Sequence, residues 1–233
     1  MTWIAVLALA GAALAGAEGN DAAKRLFEAV RKGDAKKVRA LIAESPAAVR
    51  AKDRSGNTAL HFAAGLDDAE MASLLLAKGA DVNAMNTHGS TPLAVAVMAG
   101  KTKVVRQLLK HDADPNRKRA NADGALNHLA RSTHASGPAL LQMLVAAGVD
   151  VNIRGYPGET PLSSAVRAGN RRMAELLIEA GADVNAAPTQ YRPGPLHDAR
   201  DRATAAMLLD HGARVDGRDF RGRSVLHHVG SPE

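Results

Sequence analysis

The sequence predicts an all-α fold, a solenoid of stacked helix-turn-helix units in which no unit can bury a core by itself. Three observations lead there. The hexapeptide Gly79-Ala80-Asp81-Val82-Asn83-Ala84 returns as Gly181-Ala182-Asp183-Val184-Asn185-Ala186, with looser copies at 112–117, 148–153 and 212–217. Turns of one type recur ahead of these copies: Thr58-Ala59-Leu60-His61, Thr91-Pro92-Leu93 and Thr160-Pro161-Leu162. The leucines of these turns keep step. Leu60 to Leu93 and Leu93 to Leu126 are each 33 residues, followed by 36 to Leu162, 34 to Leu196 and 30 to Leu226.

Within a unit, the threonine suits the cap of a first helix, and Pro92 and Pro161 fall in the first turn, where a missing N–H costs nothing. A second helix carries an apolar stripe at Leu74-Leu75-Leu76, repeated by Val105-Leu108-Leu109, Leu176-Leu177-Ile178 and Met207-Leu208-Leu209. Gly79, Gly148, Gly181 and Gly212 are placed to end it in the left-handed conformation, and Asp112 takes that place once.

The run Asp53-Arg54-Ser55-Gly56-Asn57-Thr58-Ala59-Leu60-His61-Phe62-Ala63-Ala64, followed by Leu74-Leu75-Leu76 and the Gly79 motif, resembles the ankyrin repeat family. The resemblance implies an ankyrin-type solenoid of helix pairs with β-hairpin fingers, and a non-catalytic protein-binding role through a concave face of fingers and first helices. It also implies that His61, His197 and His227 are structural, bonding between neighbouring fingers. Asp53 and Gly56 suit the turn of such a finger, while Ala63 and Ala64 permit close approach of neighbouring helices.

The expected organisation is a divergent N-terminal capping repeat at 18–52, five repeats at 53–84, 85–117, 118–153, 154–186 and 187–217, and a truncated half repeat at 218–233. From key leucine to terminal glycine position the spacing is 19, 19, 22, 19 and 16 residues. Three residues are thus gained between the helices of the fourth unit, around 132–138, and three are lost in the sixth, placed around Asp201-Arg202-Ala203-Thr204. Either irregularity marks a contact or reflects drift in a tolerant loop.

Residues 1–17 read as a separate object. Trp3 to Ala17 is uncharged and apolar, stops at Glu18-Gly19-Asn20-Asp21, and ends in the small-x-small pattern Ala15-Gly16-Ala17. The expectation is an export signal cleaved after Ala17, giving a periplasmic or secreted protein; an uncleaved membrane anchor and an upstream true start are the other readings. With no cysteine, disulfides are excluded.

Candidate chemistry is sparse. Nine histidines are present, but His111 and His211 recur just before the helix-ending position, and no His-x3-His face or cysteine joins His134 or His227-His228, so no metal is expected. Ser163-Ser164 and Ser132-Thr133 lack nucleophile-elbow glycines, no phosphate loop ends in Gly-Lys-Ser/Thr, and Asp67-Asp68 falls in a solvated loop. The reading is no enzyme, no cofactor and no small-molecule substrate.

Partner-binding residues follow from the register. Outward positions of the first helices are Phe62 and Leu66, Val95 and Met98, His128, Ser164 and Arg167, and Asp198, making the face apolar in its N-terminal half and polar beyond. Phe62 and Leu66 equally suit a place between helices as core. Charge gathers on the fingers at Arg54 and at Arg117-Lys118-Arg119, within 30 Lys+Arg against 24 Asp+Glu. An acidic protein surface fits that charge, and a solvated face is the plainer alternative. Nucleic acid is disfavoured because no aromatic residue interleaves with the basic ones. Contact with a membrane is expected only if residues 1–17 are retained.

Overall fold

The computed structural model describes residues 21–118, 123–187 and 194–217. The proposed signal, Arg119, the crest of the finger at 188–193 and the half repeat with His227 lie outside the described residues. Two compact units divide the chain, one to Ala113 and one from Asp114. Among the described residues the elements are helices and turns, with no strand, so the fingers are closed by turn hydrogen bonds instead of a ladder.

In the first unit, α1 (21–31) and α2 (Ala35–Glu44) form the capping pair, and Pro46 opens a short 3-10 turn, Pro46–Arg50, after α2. Two pairs follow, α3 (Ala59–Gly65) with α4 (Ala69–Ala77) and α5 (Pro92–Met98) with α6 (Thr102–Lys110). Helix α3 packs on α5, and α4 on α6. In the second unit, α7 (Ala125–Arg131) pairs with α8 (Gly137–Ala146) and α9 (Pro161–Arg167) with α10 (Arg171–Glu179). A 3-10 turn at Pro195–Asp198 precedes α11 (Arg202–Asp210).

The two helix types start differently. Two first helices are capped by threonine: Thr91 Oγ1 accepts from the Ala94 N–H and Thr160 Oγ1 from that of Ser163, each at 3.2 Å, while Gly124 stands at the start of α7. Three second helices use an acid or amide, while α6 and α8 start without a side-chain cap bond. Asp68 Oδ1 accepts from Met71 at 2.8 Å, Asn170 Oδ1 from Met173 at 3.2 Å, and Asp201 Oδ1 from Thr204 at 2.8 Å. The helix ends follow the sequence reading. Gly79, Gly148, Gly181 and Gly212 all have positive φ, and Asp112 is the non-glycine residue that joins them, at φ 61°. Its short side chain tolerates what a β-branched one would not.

The core is narrower than the sequence suggests. Of Leu74-Leu75-Leu76 only Leu75 is fully buried, joined by Met71 and Ala72 one turn earlier. Val104, Val105 and Leu108 repeat this i, i+1, i+4 seam in α6, as do Leu140, Leu141 and Leu144 in α8 and Met173, Ala174 and Leu177 in α10. The seam is narrow because each second helix covers only its own first helix and its neighbours. Leu209, expected in the stripe, is exposed. Burial stabilises each seam leucine by roughly 1.5–3 kcal/mol over exposure.

The irregular spacings resolve differently from each other. The fourth unit does gain its length between the helices: residues 132–136 link α7 to α8, where the link from α3 to α4 is 66–68. The sixth loses nothing at Asp201–Thr204, which form an intact cap and first turn. Its shortfall is in the first helix, cut from the seven residues of α9 to a four-residue 3-10 turn.

Side chains stitch one finger to the next. His61 Nδ1 accepts from the Thr58 N–H at 3.1 Å, while Nε2 lies 3.1 Å from Ser90 O and donates to it as the neutral tautomer. Asn127 does both jobs in the fourth unit, accepting from the Gly124 N–H at 3.1 Å and donating to Glu159 O at 3.2 Å. Burial holds the His61 imidazole below its ordinary value of 6.5, outweighing the hydrogen bond to Ser90, and burial lowers His128 likewise. A histidine that is harder to protonate folded than unfolded contributes stability above about pH 6.5, and the contribution is lost as pH falls through the folded value. Thermal midpoints should therefore decline below pH 6.5, and His61→Asn should blunt that decline. An unchanged pH profile in the variant would remove His61 as its source.

Candidate interaction surface

In the first unit the face of interest runs across α1, α3 and α5. Phe62 is half-buried. Its ring centroid is 5.3 Å from that of Phe27 at an interplanar angle of 50°, and the Arg31 guanidinium carbon stands 4.3 Å from its centroid. The side chain thus belongs partly to the packing between the capping pair and the first full repeat, with one edge left to solvent. Leu66, the residue after α3, is 36% exposed and Met98, which ends α5, is 47% exposed. Val95 is half-buried between them, close to Gly65, where an added Cβ would stand 3.8 Å from Val95 Cγ1. Of the sequence-predicted apolar residues, Val95 approaches α3 at Gly65, Leu66 and Met98 are exposed, and Phe62 is the most committed to packing.

The finger ahead of α3 carries Arg54, which is exposed, and Lys52, whose Nζ donates to Met85 O at 2.9 Å. Thr87 N–H and Oγ1 both reach Ser55 O at 2.9 Å, and Asn86 Nδ2 donates to Asn57 Oδ1 at 2.9 Å. These bonds fix the finger tips before any partner arrives, which lowers the ordering cost of binding.

In the second unit the face is polar and largely self-satisfied. His128 is half-buried beside Asp123 and Arg131, which form an ion pair. Asp123 Oδ1 also accepts from the Tyr156 N–H at 3.0 Å. Burial pushes the Asp123 carboxyl up, but the hydrogen bonds from Arg131 and Tyr156 outweigh it and hold the group below its usual value. Arg167 is paired to Glu159 and lies 3.5 Å from Asp198 Oδ2. Two expectations are corrected here. Ser164 does not point outward: it is 1% exposed, and its Oγ donates to Glu159 Oε2 at 3.3 Å. Arg167 is no free outward cation, because its guanidinium closes a buried carboxylate cluster. Asp198 belongs to that cluster too. Arg117 is exposed and Lys118 half-buried on the finger ahead of α7.

Sequence reasoning missed Tyr156, which is 63% exposed at the tip of the finger Gly155-Tyr156-Pro157-Gly158. A lone aromatic among glycine and proline at a turn was the available signal, and such exposed aromatics are frequent binding anchors. It also missed Lys24 and Phe27 of α1, because the capping pair diverges from the repeat pattern. Among the described residues no group of three His, Cys, Asp or Glu side chains could hold a metal ion, and no helix is long and apolar enough to cross a membrane.

A family model described as ankyrin repeats (3 copies) matches residues 26–119 and 126–219. The B-cell lymphoma 3 protein homolog of Mus musculus is 32% identical over 184 residues, covering 75% of this chain and 41% of that protein. The nuclear factor NF-kappa-B p105 subunit of Gallus gallus is 37% identical over 169 residues, covering 70% of this chain and 17% of that protein. The chain thus spans less than half the length of these relatives. The crystal structure of the human ASB11 ankyrin repeat domain superposes with a TM-score of 0.71 at 24% identity, covering 89% of this chain and 92% of that one, and shows the shared fold. Repeats of this kind are protein–protein interaction modules, and with the family model covering both units, the chain belongs to the ankyrin repeat family.

Proposed function

We propose that the chain is an exported, non-catalytic binding module that holds an acidic surface of another protein against its first helices and fingers. The observation that carries this reading is the pair Leu66 and Met98, left exposed at the ends of consecutive first helices. Folding gains nothing from leaving them in water, and the finger that leads into α3 carries the exposed cations Lys52 and Arg54. An apolar centre with a charged rim is the usual build of a protein interface. Export rests on the apolar run before Glu18. Within that setting the roles that fit are an inhibitor, immunity partner or stabilising companion of an envelope or secreted enzyme. Each requires only that the module cover a surface, without chemistry of its own.

Affinity capture from envelope extract, followed by binding assays on variants, tests the reading. Met98→Glu should melt within about 0.5 kcal/mol of the parent, because the position is half in water. Binding should fall at least tenfold, since a carboxylate would be desolvated without a partner at the interface centre. Reversing Arg117, Lys118 and Arg119 to Glu should mainly slow association and weaken its salt dependence. Unfolding of Met98→Glu would make the residue core, and unchanged binding in both variants would move the interface elsewhere. The intact mass of the same preparation reads the N-terminus. A chain starting at Glu18 supports export, and full-length protein in the cytosol rejects it.

A further inference from the structure

Beside α1 lies a cleft of about 540 Å3, walled by Lys24 and Phe27 from the helix and by Lys52, Asp53 and Arg54 from the first finger. That volume is within the range of sites that take a small ligand or a few residues of chain. We propose that this cleft seats an extended acidic segment of the partner protein, one with Asp or Glu side chains beside an apolar residue. The inference rests on the protein-binding reading above and names the chemistry it selects.

Charge complementarity is the first argument. Three cations meet one carboxylate, which leaves the cleft net positive, and that carboxylate's oxygens already accept hydrogen bonds. Asp53 Oδ1 accepts from the Ser55 and Asn57 N–H groups, each at 2.8 Å, and Oδ2 from Asn57 Nδ2 at 3.3 Å. Its negative charge is therefore turned into the finger. Lys52 uses one ammonium proton on Met85 O and keeps two for a ligand, its position fixed by the bond it makes. Lys24 and Arg54 are exposed and make no hydrogen bond or ion pair among the described residues.

The apolar component is the second argument. Phe27 forms part of the wall and packs on Phe62, so the cleft offers an aromatic edge that the cations flank. The finger makes no cradle for a compact anion, because its Ser55 and Asn57 N–H groups already bond Asp53. Cations spread over a helix and a finger match carboxylates spread along a chain. Phe27 is too buried to offer a face for stacking a base.

The test uses the full chain and a labelled ten-residue peptide of glutamates around one phenylalanine, with a glutamine-for-glutamate version as control. Binding of the acidic peptide that weakens as salt rises, with the glutamine version at least tenfold weaker, is the expected result. Lys24→Glu with Arg54→Glu should melt as the parent does and lose at least tenfold in affinity. Lys36→Glu with Lys103→Glu changes net charge equally on exposed positions of α2 and α6 and should leave binding intact. Equal loss in that control pair overturns the proposal. So does a ten-nucleotide single strand binding as tightly as the peptide, displacement by millimolar inorganic phosphate, or no peptide binding at all. If envelope extract yields a partner whose binding ignores the Lys24 and Arg54 changes, the cleft fails while the binding-module reading stands. Peptide binding without any captured partner leaves the cleft standing and defeats the reading.

Discussion

Leu144→Ala is expected to destabilise the second unit by about 2–5 kcal/mol, the range for deleting a fully enclosed leucine. Leu144 lies in the seam of α8 with Leu140 and Leu141, and no part of it reaches water. The link at 132–136 that precedes this helix is longer than its counterparts, and Ser136 makes no side-chain cap bond there. The helix therefore depends on packing more than the capped α10 and α11 do. Because a repeat is stabilised only by the units on either side, the loss should appear as local opening. Hydrogen exchange should report faster exchange across α7 to α10, with α3 to α6 still protected. A uniform loss through both units, in a single transition, would contradict neighbour-limited stability in this chain.

Arg167→Ala should rank with it, at about 3–5 kcal/mol, the usual cost of removing one partner from a buried ion pair. The variant takes the guanidinium away from the Glu159 carboxylate, whose side chain is 7% exposed, and from the Asp198 carboxylate beside it. Ser164 supplies Glu159 with a single long hydrogen bond, which cannot replace a cation. Removing all three charges together, as Arg167→Met with Glu159→Gln and Asp198→Asn, should recover most of the loss, because what costs energy is the uncompensated charge. A urea melt on both variants decides it. If Arg167→Ala unfolds at the parent's midpoint, the cluster carries no stability and Arg167 returns to the list of surface cations. Any loss of partner binding on changing Arg167 must be read beside that melt.

The parts of this molecule that were legible in the sequence are those that one repeat copies from another. Helix ends could be placed because only glycine, or Asp112, suits a left-handed residue there, and that chemistry does not depend on neighbours. First helices were legible from threonine and proline at fixed steps. What escaped were relations between different units. Ser164 sits in the position that faces outward in the pattern, yet Glu159 and Arg167, the counterparts of Asp123 and Arg131 one unit earlier, draw it into a polar cluster. Phe62 was ambiguous because Phe27, which covers it, lies in a capping pair with little of the repeat signature. A spacing measured from leucine to glycine does not tell which segment between them is short, so the sixth unit's shortened first helix reads in the sequence as a shortened loop. Asn127 hid in plain view. It replaces the histidine of the finger turn and makes both of that histidine's hydrogen bonds.

The asparagines of the recurrent hexapeptide and its copies form a ladder. Asn83 Nδ2 donates to Asp112 O, Asn116 to Gly148 O, Asn152 to Gly181 O and Asn185 to Gly212 O. In return Asn116, Asn152 and Asn185 accept from the N–H groups of Asp150, Asp183 and Arg214. The acceptor is always main chain at the helix-ending residue, whatever that residue is. Each rung is therefore indifferent to the identity of the next unit and sensitive only to its backbone. Such a joint behaves as a standard coupling. A gene duplication or loss that cuts at the same point in two units rejoins an asparagine to an equivalent carbonyl and leaves no orphaned donor. The array can change in length by recombination while its surface is free to diversify, so selection for a new partner can act on helix and finger residues without renegotiating how the units hold together.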